Sequence, residues 1–236
     1  MIGLGLPEEE VKNVTANGAN ERASVLNYLK ENPYENFNAV VRVIRRAFKE
    51  WKEVNLKMNK DLIAYLEERV ADIDKPSAYV LIPYISEKVG DSKFAEPLIN
   101  LVITMCERIP ARFLTGHFIK YALRPENKKP KINGDICQVI IKIIETASIA
   151  NCFLKEIAEY ARDTYAVPFS KKGAQELLVC LYTHAGDQIK PYLDETTLKA
   201  MDGEFKSIKP LSQDQKKPKV NFEGDAAVES QVYSKK

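Results

Sequence analysis

The stretch RPENKKPK, residues 124 to 131, sets Arg124, Lys128, Lys129 and Lys131 against one carboxylate, Glu126. In a chain of formal charge +2, that gathering of cations in one short connection provides local chemistry for meeting an acidic surface. Exposed charges steer encounter over roughly a Debye length, and salt weakens the effect. No constellation of reactive side chains competes with it. His117 in TGHFIKY and His184 in YTHAGD lack a Cys, Asp or Glu partner at metal-motif spacing. Cys106, Cys137, Cys152 and Cys180 form no CxxC pair, so they read as small core residues rather than zinc ligands or a disulfide framework. A glycine-rich phosphate loop and a nucleophile elbow are both missing. Glu67 with Glu68, and Glu156 with Glu159, have Lys and Arg neighbours and read as wet helix faces. These residues ask for no enzyme, no metal and no cofactor.

Composition bounds the elements that must position the lysines. With 236 residues, 45% hydrophobic and 29% charged, the chain can bury a substantial core as one domain or one continuous array. Its start, MIGLGLPEEE, is too brief and too soon acidic for a secretory signal. No apolar run approaches the roughly 18 residues that would span a bilayer, so a cytosolic location without a membrane partner is expected. The net charge is also too low for a general nucleic-acid binder.

Apolar spacing predicts an all-α chain, with helices over about 20–31, 36–54, 59–74, 77–89, 94–109, 111–123, 134–149, 152–165, 171–185 and 196–207. Asn32-Pro33, Asp74-Lys75-Pro76, Gly90-Asp91, Pro110, Pro125 with Pro130, Pro168 and Gly186-Asp187 fall where helices should stop or start. The expected organisation is a weakly structured segment 1–18, a folded domain 19–208 and a disordered tail 209–236. That tail carries its own basic residues, Lys216, Lys217 and Lys219.

A repeat runs through the helices. Ser92, Pro130 and Pro168 stand 38 residues apart, and equal offsets from each reach apolar or small residues. They are Leu98, Ile136 and Ala174; Leu101, Val139 and Leu177; Val102, Ile140 and Leu178; Met105, Ile143 and Leu181; Cys106, Ile144 and Tyr182; Ile109, Ala147 and Ala185. These offsets trace one buried helix face three times over. A fourth copy anchored on Tyr34 gives Val40, Val43, Ile44, Ala47, Phe48 and Trp51. A period of about 40 residues built from helix pairs predicts a HEAT-type solenoid of antiparallel helices. In such a stack the turns within pairs share one long edge. The turns 32–37, 90–94, 124–133 and 166–173 are therefore expected to lie together, forming a positive ridge from Lys93, Lys128, Lys129, Lys131, Lys171 and Lys172.

Two segments resemble a specific family. DKPSAYVLIPYISEKVGDSK has its helix, Gly-Asp turn and following basic residue. GAQELLVCLYTHAGDQIKPYLDETTLKAMDGEFKSIK is similar to the closing segment of TOG domains, with a long helix, a terminal Gly, a short capping helix and a last helix carrying EF. TOG domains occur in ch-TOG-type microtubule polymerases and CLASP-type rescue factors. The resemblance covers roughly residues 20 to 208 and is best from 75 onward. It implies that the turn edge binds curved αβ-tubulin, or microtubules, without catalysis, in a cytoplasmic protein of the cytoskeleton, spindle pole or centrosome that promotes microtubule growth or regulates plus ends. By position, Lys93 matches the basic residue after the Gly-Asp turn, Lys131 the lysine after the Asn-Pro turn, and Lys171 takes the place of an arginine. The tryptophan of the family's first turn has no counterpart, and Tyr34 is the nearest turn aromatic. KEVNLKMNKDLIAYLEERVAD looks like an inserted helix.

The tubulin-contact set carried forward is Tyr34, Lys93, Lys128, Lys129, Lys131, Lys171 and Lys172. The alternative is a HEAT scaffold that holds adaptor proteins together at a spindle pole or centrosome without touching tubulin. An enzymatic reading would need a polar pocket that the sequence does not display.

Overall fold

The computed structural model describes residues 4–125, 130–212, 215 and 217–219. Among these, eleven α-helices and three 3-10 helices form and no strand does, as an all-α solenoid requires. The chain divides into two compact units, Met1–Lys88 and Val89–Lys236.

The first unit contains α1 (Glu8–Asn13), α2 (Ala19–Glu31), α3 (Phe37–Ala47), α4 (Leu56–Glu68), a 3-10 turn (Val70–Asp72) and α5 (Lys75–Lys88). Helix α1 lies in the segment 1–18, where apolar spacing left no helix. Side-chain caps start several elements: Asn36 accepts from the Ala39 amide at 3.1 Å, Asn55 from Met58 at 3.1 Å, and Asp74 from Ser77 at 2.8 Å. Helix α2 packs on α3 and α4, and α3 packs on α5. Leu29, Val40, Ile44, Leu62, Leu66, Leu81 and Tyr84 make up the centre of the core.

The expected helix 36–54 is shorter than its apolar stripe. Helix α3 stops at Ala47, and Lys49, Glu50 and Trp51 then take φ of 48°, 55° and 73°. Three consecutive non-glycine residues in the left-handed region carry strain, which the surroundings must offset. Trp51 is buried, its Nε1 donates to the Val80 carbonyl at 3.1 Å, and its ring lies 5.0 Å from that of Tyr84. Trp51 thus belongs to the core, as its place on the stripe predicts, but it enters from a turn.

The second unit contains α6 (Ala95–Met105), α7 (Ala111–Ala122), α8 (Pro130–Ala147), a 3-10 turn (Ile149–Asn151), α9 (Leu154–Tyr165), α10 (Lys171–Ala185), a 3-10 helix (Gly186–Tyr192) and α11 (Glu195–Ser207). Helix α6 packs on α8 and α8 on α10, while α7 packs on α9 across the other layer. The 38-residue repeat is the reason. Leu98, Ile136 and Ala174 are fully buried, as are Val139, Ile140, Leu177 and Leu178, so each stripe faces its neighbours. All four cysteines are unpaired; Cys106, Cys137 and Cys180 are buried and Cys152 is half-buried.

Past α11 the chain has no helical period, yet it is anchored. The Leu211 amide donates to the Thr183 carbonyl at 2.8 Å, and the Lys219 amide donates to the Thr146 carbonyl at 2.8 Å. Residues 220–236 lie outside the described residues.

Candidate partner-binding edge

In the second unit the turns before α6, α8 and α10 stand side by side. Lys131 Nζ, in the first turn of α8, donates to the Gly90 carbonyl at 3.3 Å. The Asp135 carboxylate sits against Gly90, in the space a Cβ there would need. On the other side of α8, Gly134 meets Ser170: a Cβ on Gly134 would lie 3.4 Å from the Ser170 Cα. The Tyr160 hydroxyl donates to the Asn133 carbonyl at 3.0 Å, tying α9 to the start of α8.

Lys93, Lys131, Lys171 and Lys172 are all exposed along this edge. Lys171 Nζ lies 4.9 Å above the Tyr165 ring, a cation–π contact that leaves the ammonium accessible. Lys172 reaches Glu176 only at 4.0 Å, with the lysine side chain 92% exposed. Opposing carboxylates are Asp91, which accepts from the Lys93 amide at 3.0 Å, together with Asp135 and Glu176. Desolvation pushes the Asp135 carboxyl above its ordinary value, and the nearby Lys131 ammonium partly opposes that. Lys128 and Lys129 lie outside the described residues.

Tyr34 belongs to the first unit. The Arg69 guanidinium donates to the Tyr34 carbonyl at 3.3 Å and covers the Phe37 ring at 5.3 Å, so the turn 32–36 lies where α4 closes and α5 begins. The Tyr34 hydroxyl donates to that of Tyr28 at 3.5 Å, and this contact pushes the phenol up to about 12.

The turn at the Lys88 end of the first unit is 48–55, which sequence spacing had merged into a helix. Lys88 Nζ donates to the Glu53 carbonyl at 2.7 Å. Glu53 and Arg22 form a buried ion pair at 2.5 Å, their side chains 4% and 6% exposed. Glu53 Oε1 also accepts from the Val54 and Asn55 amides at 3.0 and 2.9 Å. Desolvation pushes this carboxyl up, but the Asn55 amide and the Arg22 guanidinium outweigh it and hold the group below its ordinary value. The clamp leaves Val54 89% exposed, with Lys49 and Lys52 exposed beside it. Exposed apolar residues also occur on the second unit's edge, at Leu123 and Phe169. Phe169 falls within the turn 166–173 expected from sequence, and an aromatic between Pro168 and the Lys171-Lys172 pair was the available signal.

Among the described residues no group of His, Cys, Asp and Glu could hold a metal, and no helix is long and apolar enough to cross a membrane.

Antiparallel helix pairs whose stripes repeat every 38 residues define a HEAT-type solenoid, and the chain has the fold of a TOG domain. It is similar to TOG3 of Drosophila melanogaster Mini spindles at a TM-score of 0.69, with 16% identity over 92% of this chain and 99% of that one. It is also 22% identical over 164 residues, 66% of its length, to Protein MOR1 of Oryza sativa subsp. japonica. That match spans 8% of the rice protein's length. No protein-family model matches the chain.

Proposed function

We propose that this chain is a non-catalytic module that binds αβ-tubulin, or the microtubule end, through the edge formed by the turns before α6, α8 and α10. The observation that carries the reading is the contact chain from Gly90 to Lys131 and from Gly134 to Ser170, which puts Lys93, Lys131, Lys171 and Lys172 in one row. Lys128 and Lys129 fall within the central turn of that row by sequence. Tyr34, on the turn 32–36 of the first unit, stays in the proposed contact set beside them. The TOG fold supports tubulin as the acidic partner, and a cytoplasmic, microtubule-associated location follows from the same reading.

Each exposed lysine–carboxylate pair is worth only about 0 to 1 kcal/mol, so several turns must act together. Such rim charges set association rate and register more than affinity. The test is co-elution of the purified chain with soluble tubulin on a sizing column at low and moderate salt. Co-elution that weakens with salt and is lost in a Lys131→Glu, Lys171→Glu double variant supports the reading. A folded chain that fails to co-elute at low salt returns the protein to the scaffold class, holding adaptor proteins instead.

A further inference from the structure

We propose that Phe169, standing on the turn between α9 and α10, is the apolar anchor of the lysine edge: it enters a depression on an acidic protein surface and sets how long the partner stays bound. The inference rests on the tubulin reading and identifies a contact that charge alone does not supply.

Phe169 is 83% exposed, although its neighbour Ser170 is only 1% exposed. An aromatic side chain left in water gives up the favourable burial that a Phe normally contributes. The exposure is not a consequence of a slack loop. The Val167 amide donates to the Thr164 carbonyl at 3.1 Å, the Ser170 amide to the Val167 carbonyl at 3.0 Å, and the Lys171 amide to the Pro168 carbonyl at 3.4 Å. Ser170 is pinned against Gly134 from the side. The backbone on both sides of Phe169 is therefore fixed, and the ring is held outward with little ordering left to do on binding, the condition under which an aromatic contributes most to an interface.

Its surroundings select the partner. Lys171 and Lys172 follow it directly, and Lys131 stands on the helix that touches its turn. Leu123, 58% exposed at the end of α7, adds a second apolar residue to the same edge. An apolar tip ringed by ammonium groups fits a surface that has carboxylates around an apolar pocket, and it fits neither a bilayer interior nor a basic partner. Within the tubulin reading, the lysines steer the encounter and Phe169 retains the complex.

The two roles separate kinetically. With the full chain and soluble αβ-tubulin as the probe, surface-binding kinetics are measured across a salt series for wild type, Phe169→Ala, Phe169→Trp and Lys171→Gln with Lys172→Gln. Phe169→Ala is expected to weaken binding about tenfold or more, through faster dissociation, with the salt dependence of association unchanged. The lysine variant slows association and flattens its salt dependence, while Phe169→Trp keeps affinity within about threefold of wild type. An unchanged melting temperature for Phe169→Ala establishes that the fold is intact. Wild-type binding together with undiminished binding by Phe169→Ala overturns the anchor while leaving the tubulin reading in place. No binding by the wild type overturns both. A wild-type chain that dimerises in sedimentation, and a Phe169→Ala chain that does not, assigns the ring to self-association and overturns the inference.

Discussion

Gly173 of α10 rests directly on Gly134 of α8: a Cβ on Gly173 would lie 2.5 Å from the Gly134 carbonyl oxygen and 2.9 Å from its Cα. The crossing is set by backbone, which cannot move aside as a flexible side chain can. Gly173→Ala is therefore expected to destabilise the chain by about 1 to 3 kcal/mol through overpacking, although Ala is the better helix former. Gly203, in α11, has nothing within 4 Å of its would-be Cβ. Gly203→Ala should stabilise by up to about 1 kcal/mol. Urea unfolding of the two variants, read by far-UV circular dichroism, gives opposite shifts if the crossing is as tight as described.

The clamp on the turn 48–55 makes a prediction in acid. Glu53 has a folded value held below its unfolded one, so its contribution is complete above the ordinary carboxylate range near 4.3. It declines as pH falls through that range and is gone below the depressed folded value. Glu53→Gln should remove that part of the acid limb. Arg22→Ala leaves the carboxylate buried without its ion-pair partner and should cost about 3 to 5 kcal/mol. Denaturation midpoints between pH 3 and 7, followed by the fluorescence of the single tryptophan, Trp51, check both.

Burial pushes the thiols of Cys106, Cys137, Cys152 and Cys180 up to about 12 each. The thiolate is the reactive form, so the native protein at pH 8 should label slowly with a thiol reagent and release all four groups only in denaturant. Rapid native labelling at any of the four would contradict the packing described.

The anchored segment beyond α11 should also be measurable. Amides of Leu211 and Lys219 satisfy carbonyls in the last turns of α10 and α8, groups that helices otherwise leave open. Removal of residues 209–236 is expected to cost about 0.5 to 1.5 kcal/mol per lost hydrogen bond and to speed amide exchange at those two helix ends.

Much of the second unit was legible because its residues repeat. Pro130 and Pro168 mark equivalent boundaries, and the stripes that follow them became the buried faces of α8 and α10 in the register read from sequence. The first unit was legible as helices but not as layers. Val40, Val43, Ile44 and Ala47 are all buried, as the stripe anchored on Tyr34 required. Any amphipathic helix buries such a stripe, however, whichever layer it occupies, so spacing alone does not tell which turns share an edge. The turn at Lys49–Trp51 was hidden for a related reason. It contains no glycine or proline, and its left-handed backbone is held by the burial of its own Trp51 and by the Arg22–Glu53 pair that follows it. Phe169 was invisible as an exposed residue because hydrophobicity predicts burial, and only the fixed backbone around it shows otherwise.

Lys131 occupies the first turn of α8, and Lys171 and Lys172 the first turn of α10; neither of those turns contains an acidic residue. The amino end of a helix is its positive pole, so these cations sit where the isolated molecule least favours them. Folding and recognition therefore pull against each other at this edge. Replacing Lys171 and Lys172 by glutamine should raise the melting temperature slightly while slowing capture of an acidic partner. Docking such a partner would relieve a tension that the free chain carries at rest.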